Sequence, residues 1–355
     1  MTMIRLEGVS KRYGAVVALD KSDLAVDKGE FVTLLGSSGS GKTTLLNVIA
    51  GMIAPTTGRV LVDGEDITSL PPNRRNLGMV FQNYALLPHM TIFENIAFPL
   101  RIRGVSNAEI RKRVMDVLDI IRLPQIAQRK PRELSGGQQQ RVSLARCIVY
   151  NPSLILMDEP LGALDRRLRE QMQVEIKKIQ TESGITMLYV THDQEEALSM
   201  SDRIVLMDNG KILQIGSPSD LYFRPKSLFA ATFLGMSNIL RGRFTTASGG
   251  GICLPGGEEI RLSSETPMTG EIGCAMVRPE NVKLAGPDAQ PNTNEVVGEL
   301  VMSVMLGGIT NHHVELADGT RLIAQEQTRI DRAPPLRGER IRLRWEASDT
   351  IGLPE

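Results

Sequence analysis

The chain has 355 residues, about two domains' worth at roughly 150 residues each. Its 41 lysines and arginines balance 41 aspartates and glutamates, which argues against a protein held to nucleic acid mainly by charge. Hydrophobic residues make up 41% and charged residues 23%, enough apolar side chains for sizeable cores and too many for a disordered chain.

No apolar run approaches the length of about 18 residues that spans a bilayer. The opening Met1-Thr-Met-Ile-Arg-Leu-Glu7 meets charge too early for a signal peptide's apolar core. Cys147, Cys253 and Cys274 lie far apart, so neither a disulfide framework nor a CxxC metal knot is encoded. A soluble, cytoplasmic, multi-domain protein is expected, and any membrane role must run through a partner.

Up to about residue 233, short apolar runs alternate with helical stretches. Phe31-Val-Thr-Leu-Leu35 leads into a glycine loop, Leu154-Ile-Leu-Met157 into acid, and Met187-Leu-Tyr-Val190 into Thr-His-Asp. Arg203-Ile-Val-Leu-Met207 leads into Asp-Asn-Gly. Such runs, bounded by turns and separated by helices, predict an α/β fold with a mostly parallel sheet. Gly58-Arg-Val-Leu-Val-Asp-Gly64 reads instead as antiparallel hairpin material. Between the strand at 77–81 and the carboxylate strand lies a helical insert, about 84–150. Within it Ser106 and Glu109 have capping-box spacing, and Ile110, Val114, Leu118 and Ile121 recur at helical intervals.

After about Asn238 glycine and proline become dense, at Ser248-Gly-Gly-Gly251, Pro255-Gly-Gly257 and Gly286-Pro287, and helical periodicity fades. Val314-Glu-Leu-Ala-Asp-Gly-Thr-Arg-Leu-Ile323 carries hairpin turn chemistry at Asp318-Gly319. A small all-β barrel or sandwich is predicted, so the domains are expected at 1–236 and 237–355. His312 and His313 are strand neighbours pointing to opposite faces, which argues against a shared metal.

Gly36-Ser-Ser-Gly-Ser-Gly-Lys-Thr43 fits GxxxxGK[ST], between a strand and the apolar helix that begins at Thr44. Gly36, Ser37, Gly39, Ser40 and Gly41 would wrap backbone amides around phosphate oxygens, with Lys42 bridging the β- and γ-phosphates. Thr43 would take one position on Mg²⁺ beside Thr44 in the first helical turn. The acidic pair ending the strand Leu154-Ile-Leu-Met157 supplies the second element. Asp158 would hold Mg²⁺ through water, and Glu159 would accept a proton from the attacking water.

Leu134-Ser-Gly-Gly-Gln-Gln-Gln-Arg141 separates this chain from other P-loop proteins. It resembles the signature sequence of ABC-transporter ATPases. Other landmarks of that family stand in the expected order over residues 3 to about 235. Gln82 follows a strand as the Q-loop glutamine does and is implied to bind Mg²⁺ and water. Leu161-Gly-Ala-Leu-Asp165 resembles the D-loop, with Gly162 where many relatives carry serine. His192 resembles the switch histidine, and Tyr13 in Lys11-Arg-Tyr-Gly14 the aromatic that stacks on adenine.

Each landmark also has a plainer meaning: Ser135 as a helix cap, His192 and Gln82 as polar turn residues, Tyr13 as packing. The resemblance implies a head-to-tail homodimer holding two ATP, each between one chain's P-loop and the other's Ser135, Gly136, Gly137 and Gln138. Residues 84–90 match the stretch that grips the cytoplasmic helices of two transmembrane permease subunits. Phe233-Leu-Gly-Met-Ser-Asn-Ile-Leu240 and Val277-Arg-Pro-Glu-Asn-Val-Lys-Leu284 resemble the OB-like TOBE domain of the maltose, polyamine and iron importer group, nearest its spermidine/putrescine branch. That implies a peripheral ATPase on the cytoplasmic face of the inner membrane, served indirectly by an extracytoplasmic solute-binding protein and binding no nucleic acid. Sugar, opine or ferric-iron import remain open, as does a soluble ABC ATPase acting on nucleic acid or ribosomes.

Overall fold

The computed structural model describes residues 1–162, 164–245, 250–263, 272–286, 292–331 and 335–353. Ala163, Ser248, Gly249 and Pro287, which figure in the motifs above, lie outside the described residues. The chain divides into two units, Met1–Ser219 and Asp220–Glu355.

The first unit begins with β1 (Thr2–Tyr13), β2 (Val16–Asp27), β3 (Phe31–Gly36), α1 (Lys42–Ala50), β4 (Thr57–Val62), β5 (Glu65–Asp66) and β6 (Gly78–Val80). The helical insert follows as α2 (Ile92–Ile102), α3 (Asn107–Ile120) and α4 (Gly136–Ile148). It then returns through β7 (Leu154–Asp158), α5 (Arg166–Ser183), β8 (Thr186–Thr191), α6 (Gln194–Met200), β9 (Arg203–Asp208) and β10 (Lys211–Gly216).

Two sheets result. The antiparallel one has the order β2-β1-β4-β5, as the Gly58–Gly64 reading anticipates, and the other has the order β10-β9-β3-β8-β7-β6. Its β9, β3, β8, β7 and β6 run parallel, while β10 folds back antiparallel through Asn209 and Gly210, both with positive φ. Successive strand residues enter opposite cores. Phe31, Ile155, Met157, Met187 and Tyr189 pack with the insert helices, whereas Val32, Leu34, Leu156, Leu188 and Val190 pack with α1 and the antiparallel sheet. Burial on both faces is why these strands read as unbroken apolar runs.

Capping decides the insert's helix starts. Ser106 accepts from the Glu109 amide at 3.4 Å, but Glu109 turns away to Arg113 at 2.7 Å, so only half of the expected capping box forms. Full boxes form on α2, where Thr91 and Glu94 bond reciprocally, and on α4. Helix α1 ends under Arg75, a buried side chain far ahead in sequence. Its Nη1 donates to the Val48 and Ile49 carbonyls at 2.9 and 2.8 Å, and Nε and Nη2 to Leu70 and Thr68. The guanidinium thus satisfies carbonyls that a helix C-terminus leaves without partners.

The second unit starts within α7 (Pro218–Phe223) and continues through α8 (Leu228–Phe233), β11 (Asn238–Thr245), β12 (Gly251–Cys253), β13 (Glu259–Arg261), β14 (Ile272–Val277) and β15 (Lys283–Leu284). It ends with β16 (Thr293–Met305), β17 (Ile309–Glu315), β18 (Arg321–Gln327), β19 (Arg340–Glu346) and β20 (Ile351–Leu353). These strands form two antiparallel five-stranded sheets, β13-β12-β11-β14-β20 and β15-β19-β16-β17-β18, with the β17–β18 hairpin turning at Asp318-Gly319. Their inner faces share one core around Leu240, Val296, Leu343 and Trp345. His312 is buried between Ser303 Oγ at 2.8 Å and Glu326 Oε1 at 3.1 Å.

Residues 220–236 belong to this second unit, ahead of the 236/237 boundary read from the sequence, because of Arg278. Its fully buried guanidinium lies 3.9 Å from the Tyr222 ring centre and donates to the carbonyls of Tyr222, Ala231 and Met236 and to Ser237 Oγ.

Arg75→Ala should lower the unfolding free energy by about 3 kcal/mol, measured by urea denaturation, because several buried carbonyls lose a charged donor at once. A midpoint equal to wild type would show that water caps α1 equally well. Arg278→Met should destabilise the second unit by a similar roughly 3 kcal/mol, seen as an earlier thermal transition. No shift in that transition would remove Arg278 from the anchoring role.

Candidate functional site

Parallel pairing aligns the carboxyl ends of four strands. Gly36 pairs with Met207, Leu35 with Thr191, and Asp158 with Val190. The residues that follow therefore emerge along one edge, where ligands bind in open α/β sheets.

The glycine loop is shaped by close approach. A Cβ at Gly36 would lie 2.1 Å from the Met207 carbonyl oxygen, and one at Gly41 2.8 Å from the Ala18 carbonyl oxygen, with Gly41 also at φ 97°. Gly39 has open space around it. Gly41 gives α1 no side-chain cap, so the first-turn amides, including those of Thr43 and Thr44, have no helical acceptors. Ser40 is buried, and its amide donates to the Ser37 carbonyl. Lys42 Nζ donates to the Gly36 and Ser37 carbonyls, both at 2.8 Å. Burial lowers the Lys42 pKa, and the nearby Glu159 and Asp158 charges oppose that shift. A cationic loop with free amides at a helix N-terminus fits a polyphosphate.

Thr43 Oγ1 lies 3.1 Å from Asp158 Oδ1. Burial raises the Asp158 pKa, the Thr43 bond opposes it, and the Glu159 charge adds to it. A hydroxyl beside a carboxylate is an oxygen donor set suited to Mg²⁺. Glu159 itself sits at φ 43°, and its carboxylate meets His192 Nδ1 at 3.2 Å. Chain folding thus joins two residues that the sequence separates by a whole helix and strand.

Gln82 is exposed just beyond β6, and its Nε2 would lie 3.5 Å from a Cβ on Gly162. Tyr13 ends β1 with its ring half exposed and Lys11 Nζ 5.0 Å from the ring centre. Ser135 caps α4 in a reciprocal box: its Oγ accepts from the Gln138 amide, and Gln138 Oε1 accepts from the Ser135 amide. Gly137 is packed under α5, where a Cβ would meet Leu168 Cδ1 at 2.9 Å, and a Cβ on Gly136 would meet Leu164 at 3.1 Å. Asp165 caps α5 through the Leu168 amide at 3.0 Å.

Two groups of supporting residues escape the sequence reading. Tyr84 and Ala85, two and three residues after Gln82, both have positive φ, at 55° and 49°. Arg146 and Ser143 on α4 hold their carbonyls: Arg146 bonds Ala85 at 2.7 Å and Tyr84 at 3.1 Å, and Ser143 bonds Tyr84 at 2.9 Å. Arg169 and Glu196 form the other group, beside His192. Asp193 and Glu196 have capping-box spacing, a signal that marks Glu196 but assigns it the wrong partner.

The ABC transporter family matches residues 19–162, and the TOBE domain matches residues 275–353. The spermidine/putrescine import ATP-binding protein PotA of Frankia alni is 46% identical, covering 99% of this chain and 79% of its own. PotA of Thermobifida fusca is 44% identical, covering 99% of this chain and 93% of its own. A solved dimeric, post-hydrolysis state of the ATP-binding cassette MJ0796 bound to ADP and Pi matches with TM-score 0.54 and 36% identity, over 61% of this chain and 99% of that one. Both halves of the chain are thereby placed: it belongs to the ATP-binding subunits of ABC transporters, ATP hydrolases whose turnover is coupled to transport, in the branch that carries a TOBE domain.

Proposed function

We propose that this chain is the ATPase of a spermidine/putrescine importer, working as a homodimer with two transmembrane permeases and, indirectly, an extracytoplasmic solute-binding protein. Identity of 44–46% to two PotA proteins across both units carries the substrate class. Among the described residues no helix is long and apolar enough to cross a membrane, which fits peripheral attachment at the cytoplasmic face through the permeases. In this reading the ATPase domain is residues 1–236, with its helical part about 84–150 and its last stretch, 220–236, packed into the second structural unit, and residues 237–355 are the TOBE-like regulatory domain.

Tyr13 stacks on adenine. Gly36, Ser37, Gly39, Ser40, Gly41, Lys42, Thr43 and Thr44 hold the phosphates through amides, hydroxyls and one ammonium. Thr43, Asp158 and Gln82 would hold Mg²⁺ directly or through water, and the charge neutralisation it would supply lies at the phosphates. Glu159 takes the proton of the attacking water, a role typically worth about 10²–10⁴ in rate, or roughly 3–5 kcal/mol. His192, already 3.2 Å from Glu159, orients that water against the γ-phosphate. Ser135, Gly136, Gly137 and Gln138 close over the nucleotide of the partner chain, α4 directing its positive end at the phosphate. Asp165 sets the turn between the two half-sites.

The 84–90 segment receives the permeases' cytoplasmic helices. Arg146 ties its backbone to α4, the helix that Ser135 caps, so Gln82, the docking segment and the signature share one mechanical element.

Glu159→Gln should keep ATP binding, cut hydrolysis by at least about 100-fold and trap a dimer visible by size-exclusion chromatography. Hydrolysis near the wild-type rate would remove Glu159 from the base role. His89→Glu, at an exposed position of the 84–90 segment, should abolish uptake while the isolated ATPase still turns over. Equal loss of both activities counts against docking there. In vesicles reconstituted with permeases and binding protein, spermidine should stimulate hydrolysis; stimulation by a sugar or ferric iron instead would reassign the cargo.

A further inference from the structure

His192 is half exposed, yet the backbone on either side of it is fastened to an ionic cluster in which Glu196 is buried and Arg169 and Asp193 are partly exposed. Glu196 is 2% exposed, and its Oε2 accepts from Tyr189 Oη at 2.7 Å and Thr191 Oγ1 at 2.6 Å. Thr191 Oγ1 in turn accepts from the Asp193 amide at 3.0 Å. Arg169, on the first turns of α5, donates from Nη1 to Asp193 Oδ2 at 3.1 Å and from Nη2 to the Leu164 carbonyl at 3.0 Å. Its Nε is buried without a hydrogen-bond partner and faces Glu196 Oε1 at 3.8 Å.

We propose that Arg169 and Glu196 are positioning residues for His192. Together they form an ionic strut that fixes the Thr191-His192-Asp193 backbone against the turn ending at Leu164, so that the histidine meets Glu159 whenever that turn is in place. This inference rests on the reading of His192 as the residue that orients the attacking water.

The cluster exceeds what the fold requires. Asp193 already caps α6 by accepting from the Glu195 and Glu196 amides, so Glu196 is not needed to start the helix. The reciprocal bond that its spacing would allow is replaced by the Thr191 hydroxyl on the Asp193 amide. A carboxylate in this position is costly to bury, and an apolar side chain of similar size would pack at less cost. What the charges add is orientation. One planar guanidinium reads two loops at once, a geometry that lysine cannot reproduce. The positions on both sides of His192 are pinned, and its side chain stays free to act.

Glu196→Gln keeps an acceptor for Tyr189 and Thr191 but turns the Arg169-facing atom into a donor. In the full-length protein it should lower kcat about 10-fold, with KM for ATP within about 2-fold, as expected where an interaction acts in the transition state alone. Its melting temperature should stay within about 2 °C of wild type. Arg169→Lys should give the same kcat-only loss, and it serves if the glutamine variant folds poorly. In a His192→Ala background, single-turnover rates should show no further loss from either change. Wild-type kcat in both variants, or a loss that multiplies that of His192→Ala, overturns the strut. Wild-type turnover of His192→Ala itself overturns the reading of the histidine, and the strut with it, and is distinguishable because it appears in the single variant.

Discussion

Parallel hydrogen bonding of β3 to β8 and of β8 to β7 is the constraint on which the rest depends. A parallel ladder carries every strand in one direction, so Leu35, Asp158 and Thr191 finish on the same edge. The glycine loop, the acidic pair and the Thr191-His192-Asp193 turn are each ordinary in isolation. Their meeting is produced by register, and register is produced by two apolar cores that leave the strands no face for slippage. Glu159 contributes to that meeting through its backbone as well, since its amide bonds to the Val190 carbonyl at 3.0 Å and ties the acid to the neighbouring strand's end.

Much of this was legible in the sequence. The two-faced sheet showed as apolar runs, the loop as a spaced glycine–lysine–threonine pattern, and the second unit as a shift to glycine, proline and alternating runs. What stayed hidden was carried by arginines acting over long separations. Arg75 caps a helix whose last residues precede it by 26 and 27 positions, Arg278 fixes a segment 56 positions upstream, and Arg146 grips a loop 61 positions away. Local spacing rules describe partners three or four residues apart, and a long flexible side chain announces no such partner. The α3 start shows the converse: Ser106 and Glu109 had the right spacing, and Arg113 one turn on took the carboxylate instead.

The signature glycines have a structural function beside any contact with nucleotide. Gly137 lets α4 lie close on α5, where even a methyl group would meet Leu168. Space at Ser135-Gly136-Gly137 is therefore bounded from behind by Leu164 and Leu168, residues that follow the acidic pair. A sequence reading that treats each motif as a separate binding element misses that mutual fit.

The paired left-handed residues Tyr84 and Ala85 have one more implication. A non-glycine residue in that region lies on the order of 1–2 kcal/mol above its relaxed backbone, so two in succession make a sprung hairpin of chain. Three hydrogen bonds from Arg146 and Ser143 hold the spring compressed. The tension sits two residues beyond Gln82, and both side chains that grip the two strained carbonyls lie on α4, so three hydrogen bonds join this turn to the helix that Ser135 caps.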